Sequence, residues 1–88
     1  MTERKITVAN RAGVHARPAA LIVQRVKNFT CNIYIRRENE TINAKSIMGV
    51  ITLGASYGTE LTISAEGEDE AQAVQALIDL FESKFEED

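Results

Sequence analysis

The apolar positions of this chain change period several times, and each change marks an element. Residues 3–9 alternate, with Ile6 and Val8 on one side, which predicts a strand. Residues 10–17 contain Gly13 and lead to Pro18, a residue tolerated in the first helical turn because its missing N–H has no partner there. Ala19, Ile22, Val23, Val26 and Phe29 then recur at helical spacing and predict a helix over 17–28. Alternation returns over 32–37, where Ile33 and Ile35 oppose Tyr34 and Arg36. The polar run Glu38-Asn39-Glu40 turns the chain into a short strand around Thr41–Asn43.

Ser46 directly precedes the apolar stretch Ile47–Leu53, and Gly54 follows it. That order reads as an N-cap, about two helical turns and a C′ glycine. Tyr57-Gly58 turns the chain, and residues 60–66 alternate with Leu61, Ile63 and Ala65 inward. After Gly67, Asp69 and Gln72 have the spacing of a capping box. Ala71, Val74, Leu77, Ile78, Phe81 and Phe85 predict a long amphipathic helix to about residue 85. The order is β-α-β-β-α-β-α. Alternating rather than wholly apolar strands imply a sheet with one wet face. The expected class is α+β: a two-layer open-faced α/β sandwich, its four-stranded antiparallel sheet covered on one face by three helices.

Eighty-eight residues make one small domain, 1–88, and 44% hydrophobic content favours a packed core over disorder. No apolar run approaches the roughly 20 residues of a membrane helix, so no membrane insertion is expected. The opening Met1-Thr2-Glu3-Arg4-Lys5 lacks the apolar stretch of a signal peptide, and the single Cys31 has no partner for an internal disulfide. A cytoplasmic location follows as the expectation. The net charge of −3 conceals an asymmetry: residues 1–46 hold nine Lys/Arg against three Asp/Glu, whereas residues 47–88 hold one against ten. Most of these charges are ordinary solvated surface, including the acidic end Glu86-Glu87-Asp88. No aromatic residues interleave with a basic stripe, which argues against nucleic acid as a partner.

Chemistry concentrates in Gly13-Val14-His15-Ala16-Arg17-Pro18-Ala19. This segment sets an imidazole just before a helix start, where unpaired N–H groups and the helix dipole favour phosphate. The same positive end favours the neutral ring, whose free lone pair a nucleophile requires. Arg17 can offer its guanidinium to phosphate oxygens. An arbitrary lone histidine more often serves as a loop residue or helix cap. With no second His or paired Cys, a metal site is not expected, and no cofactor is implied.

Gly13 to Ala20 resembles the active-site segment of HPr, the histidine-containing phosphocarrier family of the phosphoenolpyruvate:sugar phosphotransferase system. Lys45-Ser46-Ile47-Met48-Gly49, Leu53-Gly54, the chain length and the element order fit the same family. The resemblance implies a stoichiometric carrier rather than an enzyme. His15 would accept a phosphoryl group, on Nδ1 in the family, from enzyme I and pass it to a histidine of an enzyme IIA domain, with Arg17 stabilising phosphate charge. Ala12 departs from the pattern, since many members carry a small polar residue there; the lifetime of the phosphohistidine is the property this touches.

The resemblance also makes Ser46, beyond its N-cap role, a site for HPr kinase/phosphorylase. A phosphate at a helix N-cap leaves the fold intact, adds about two negative charges and repels an acidic partner. It further implies docking of enzyme I and enzyme IIA on Ala20, Leu21, Ile47, Met48 and Ile51, with Val50 and Leu53 kept for the core. Arg11, Arg17, Arg25, Lys27 and Lys45 would form a basic rim that speeds encounter. A monomer is expected, because a carrier offers one small face to successive partners. A mainly regulatory module, governed through Ser46, is the alternative, and the ending from Phe81 to Asp88 is similar to that of the nitrogen-related branch of the system.

Overall fold

The computed structural model describes residues 1–86; Glu87 and Asp88, the end of the expected acidic tail, lie outside the described residues. The elements are β1 (Thr2–Thr7), α1 (Ala16–Val26), β2 (Asn32–Arg37), β3 (Glu40–Asn43), α2 (Ile47–Leu53), β4 (Glu60–Glu66) and α3 (Glu70–Glu82), followed by a short turn over Lys84–Glu86. The strands form one antiparallel sheet in the order β1-β4-β2-β3. Ile6 lies opposite Leu61, and Ile35 is flanked by Ile42 and Ile63, so the register puts the apolar positions of neighbouring strands on one face. The three helices cover that face, as the alternation predicts. Their inward residues, among them Ile22, Val26, Val50, Leu53, Val74, Leu77 and Phe81, join Ile33, Ile35, Leu61 and Ile63 in one cluster. The open face carries Lys5, Thr62 and Arg36 side by side in register. Thr62 is nonetheless buried, which fits the aliphatic stems of its two long neighbours folding over it.

The element ends differ from the sequence reading in ways that have local causes. β1 spans 2–7 rather than 3–9, although Val8 still exchanges main-chain hydrogen bonds with Thr59 and Gly58. α1 begins at Ala16 and ends at Val26. In α3, Ala71 is exposed and Ala73 is buried instead, since Ala73 shares the i, i+4 row of Leu77 and Phe81. α3 also stops at Glu82 rather than 85. Ser83 caps it, its N–H bonding Asp79 O and its hydroxyl Leu80 O. The chain then enters the left-handed region at Lys84, Phe85 and Glu86. A glycine usually announces that turn; here no glycine does, and Phe85 still reaches the core, its ring edge-on to Phe81 at a centroid distance of 4.8 Å.

The expected capping box at Asp69 and Gln72 is not formed. Asp69 makes no side-chain cap and instead accepts hydrogen bonds from the amides of Thr30 and Cys31, at 2.9 and 3.0 Å. Glu70 accepts from Thr2 Oγ1 (2.7 Å) and the Gly67 amide (3.1 Å), and pairs with the chain's amino terminus at 3.1 Å. These two carboxylates fasten the start of α3 to the loop before β2 and to β1. The Thr30 amide and then the Cys31 thiol hold the Asp69 carboxyl down at about 2. Thr2, the Gly67 amide and the amino terminus hold Glu70 there too. Burial, with Asp69 beside it, pushes the Cys31 thiol up to about 11, so it stays protonated.

Because both carboxyls bind protons more weakly when folded, their stabilisation is complete above their ordinary values of 3.8 and 4.5 and is lost as pH falls towards 2. The double variant Asp69→Asn, Glu70→Gln should therefore lower the urea midpoint at pH 7 and approach the wild-type midpoint near pH 2. An equal loss at both pH values would show that the ionised contacts do not stabilise the fold.

Candidate functional site

The segment that carries His15 is built from main-chain contacts. Asn10, fully buried, donates from Nδ2 to Gly13 O at 2.7 Å, and the Gly13 amide returns a bond to Asn10 O at 3.1 Å. Gly13 stands at φ +76°, where a side chain is strained. A β-carbon there would also come within 2.8 Å of Ala55 O and 3.0 Å of Ser56 Cα. The next amide, of Val14, donates to that same Ala55 O at 2.8 Å. The loop before α1 is thus pressed, backbone on backbone, against the loop after α2. Ala55 is placed by Gly54, whose left-handed φ of 63° ends α2. Arg37 donates to Leu53 O and Gly54 O at 3.0 and 3.2 Å and covers the same helix end.

His15 emerges from this lock as the N-cap residue of α1, with extended backbone (φ −92°, ψ −164°) and an exposed side chain. Its carbonyl accepts the Ala19 amide at 2.9 Å, the first turn of the helix. Its ring makes no capping hydrogen bond. The amides of Ala16 and Arg17 lie ahead of that first turn, and Pro18 contributes no N–H. Arg17 is exposed at the second position of α1, and its Nη1 donates to Phe85 O at 3.1 Å. Ala12 is exposed in the same loop and has no side-chain donor.

Ser46 is the N-cap of α2, as its place before the apolar stretch predicts: its hydroxyl accepts the Gly49 amide at 3.1 Å, and it is exposed. α2 divides cleanly. Val50 and Leu53 are buried, whereas Ile47 is 41% exposed, Met48 64% and Ile51 37%. Ala20 and Leu21 of α1 are half-buried, and Leu21 packs on the core. α1 and α2 are packed together, which sets these apolar residues on adjoining helices. Of the expected basic rim, Arg11, Arg17, Arg25 and Lys27 are exposed. Lys45 is half-buried, its Nζ donating to Phe29 O at 2.6 Å, and Arg25 reaches Ala76 O at 3.4 Å. Two residues of this architecture escape the sequence reading. Asn10 had a signal, an Asn three positions before a Gly, the outer pair of a tight turn. Phe85 O had none, being a main-chain atom at the far end of the chain.

The model of the PTS-HPr family, described as the PTS HPr component phosphorylation site, matches residues 2–83. The phosphocarrier protein HPr of Treponema pallidum is 50% identical over all of both chains. A crystal structure of HPr-C-His from Thermoanaerobacter tengcongensis is 50% identical, covers 100% of this chain and 99% of its own, and superposes with a TM-score of 0.96. A structure of Crh, a catabolite repression protein of Bacillus subtilis described as a domain-swapped dimer, is 40% identical over 96% of this chain and 97% of its own, with a TM-score of 0.76.

If the Gly13–Ala55 approach fixes the loop before α1, Gly13→Ala should cost about 2 kcal/mol or more in urea unfolding, combining a left-handed alanine with a main-chain clash. A loss below about 0.5 kcal/mol, the ordinary surface range, would mean that the two loops are not pressed together.

Proposed function

The chain belongs to the HPr family of phosphocarriers of the phosphotransferase system, and from that premise we propose that it carries a phosphoryl group on His15 from enzyme I to an enzyme IIA domain. The observation that carries this reading is the placement of His15: an exposed imidazole at the N-cap of α1, its ring not spent on capping the helix. In the transfer, a lone pair of the His15 imidazole, on Nδ1 by analogy with the family, attacks phosphorus in line. The N–P bond of the donor's phosphohistidine breaks and its electron pair returns to the donor ring. Donation to enzyme IIA repeats the step with the roles exchanged, so one N–P bond forms for each that breaks and no water is consumed. Little covalent chemistry is asked of the protein beyond placement and charge. The positive end of α1 faces the phosphoryl oxygens, and Arg17 adds a charge-assisted donor. Ala12 offers no side-chain hydrogen bond to the phosphorylated ring, so its lifetime against hydrolysis is the property to compare with relatives that have a polar residue there.

In this reading Ala20, Leu21, Ile47, Met48 and Ile51 meet both partners. Methionine at the most exposed of these positions suits a surface that must fit more than one protein. The chain works as a single 1–88 domain, in the cytoplasm, and as a monomer, unlike the swapped dimer described for Crh. A second, compatible role is favoured by Ser46, an exposed hydroxyl at the cap of the helix that bears this patch. Phosphorylation there by an HPr kinase/phosphorylase would set about two negative charges beside the docking face and leave the helix capped. The similarity to Crh is in keeping with a regulatory use of that site.

Incubation with enzyme I, labelled phosphoenolpyruvate and Mg²⁺ should give an acid-labile label that His15→Ala abolishes. ATP with an HPr kinase should give an acid-stable label that Ser46→Ala abolishes. Absence of the first label with a competent enzyme I contradicts the carrier reading, and absence of the second contradicts the regulatory one.

A further inference from the structure

The open face of the sheet, which the carrier reading does not use, carries a groove of about 540 Å³ where β4 begins and the turn between β2 and β3 closes. Lys5, Thr62 and Arg36 stand in register across β1, β4 and β2, and Arg37, Glu38 and Glu60 help to wall the groove. Neighbouring strands lie about 4.8 Å apart, so the backbones of Lys5 and Arg36 stand about 10 Å apart on either side of Thr62. Thr62 is only 8% exposed on this otherwise wet face. Charges of both signs share the groove, yet among the described residues Lys5, Arg36, Glu38 and Glu60 form no ion pair and no side-chain hydrogen bond. Arg37 differs. Its Nη1 donates to Leu53 O and Gly54 O at 3.0 and 3.2 Å, which holds the guanidinium in place and leaves three of its five N–H donors uncommitted.

A guanidinium already held by carbonyls loses little entropy on meeting an anion, and its paired N–H donors match phosphate oxygens. Lys5 adds a point charge beside them. The two carboxylates set a limit. Three cations against two carboxylates leave the groove a single positive charge, so a bare polyanion gains little there. Ionised Glu38 and Glu60 only accept hydrogen bonds, and a ligand that satisfies them brings hydroxyl groups. We propose that this groove binds a phosphate monoester on a hydroxylated carbon frame, as in a sugar phosphate or a nucleoside phosphate. Lys5, Arg36 and Arg37 take the phosphate, and Glu38 and Glu60 take the hydroxyls. The volume lies within the roughly 300–1,000 Å³ of small-molecule sites. His15, Ser46 and the exposed residues of α2 take no part in its walls, so the inference stands apart from the carrier reading.

Titration of the full 15N-labelled chain at fixed ionic strength, followed by backbone amide shifts, tests it with ribose 5-phosphate, adenosine 5′-monophosphate, inorganic phosphate and ribose. Ribose 5-phosphate should saturate with a Kd of about 1 mM, the affinity open to a ligand of its size, and move Lys5, Arg36, Arg37 and Thr62 most. Inorganic phosphate and ribose should each bind about tenfold more weakly, since each satisfies only one half of the groove. Adenosine 5′-monophosphate separates the two sources: tighter binding than ribose 5-phosphate assigns the groove to a nucleotide, weaker binding to a sugar phosphate. Lys5→Gln with Arg36→Gln, both exposed positions, should weaken ribose 5-phosphate about tenfold and leave labelling of His15 by phospho-enzyme I unchanged. Glu60→Gln should narrow the preference for ribose 5-phosphate over inorganic phosphate, because it weakens a hydroxyl acceptor and removes a charge that repels phosphate. No saturable shift, equal binding of inorganic phosphate and ribose 5-phosphate, or shifts centred on Ala16 and Arg17 overturns the proposal.

Discussion

The approach of Gly13 to Ala55 is the contact on which the arrangement of the site depends. Two loops from opposite halves of the chain touch main chain to main chain, with no room for a β-carbon between them and with Val14 N–H closing the contact on Ala55 O. One loop delivers His15 to the start of α1. The other follows α2, the helix with the exposed Ile47, Met48 and Ile51. Fixing one loop against the other therefore fixes the histidine relative to the apolar patch. Geometry of that kind cannot come from flexible side chains, whose ordering costs entropy that a backbone contact avoids.

Around this contact the structure separates what must be rigid from what must be reachable. The sheet and the inward faces of the helices form one buried cluster, and the carboxylates of Asp69 and Glu70 fasten its far end to β1 and to the loop before β2. The exposed chemistry sits at helix starts: His15 at α1 and Ser46 at α2. The two caps differ in a way that suits the proposed roles. Ser46 uses its hydroxyl to cap its helix, whereas the His15 ring takes no part in capping.

Much of this could be read from the chain alone, because hydrophobic period is a local signal. The alternation around Ile33, Ile35, Leu61 and Ile63 places the sheet's inner face, and Ser46 with Gly54 brackets α2 correctly. Where reading failed, a distant partner decided. Asp69 has the spacing of a capping residue but finds the amides of Thr30 and Cys31, about forty residues away in sequence. α3 ends three residues early because a lysine takes the left-handed position that sequence reading assigns to glycine. The roles of Ala55 O and Phe85 O escape notice for the same reason, their partners Val14 and Arg17 lying far away in sequence. Their contributions come through main-chain atoms or contacts made only once the fold has closed. The His15 and Ser46 segments were legible because a helix start needs few residues and all of them are adjacent.

In the proposed function, the Gly13–Ala55 contact presents His15 so that the opening of α1 receives the phosphoryl group. The most direct measurement is the change in backbone 1H–15N amide shifts when enzyme I phosphorylates the chain. The largest changes are expected at Ala16 and Arg17, the amides ahead of the first turn of α1, with the sheet and α3 nearly unmoved. Shifts centred on another helix, or spread evenly through the sheet, would contradict it.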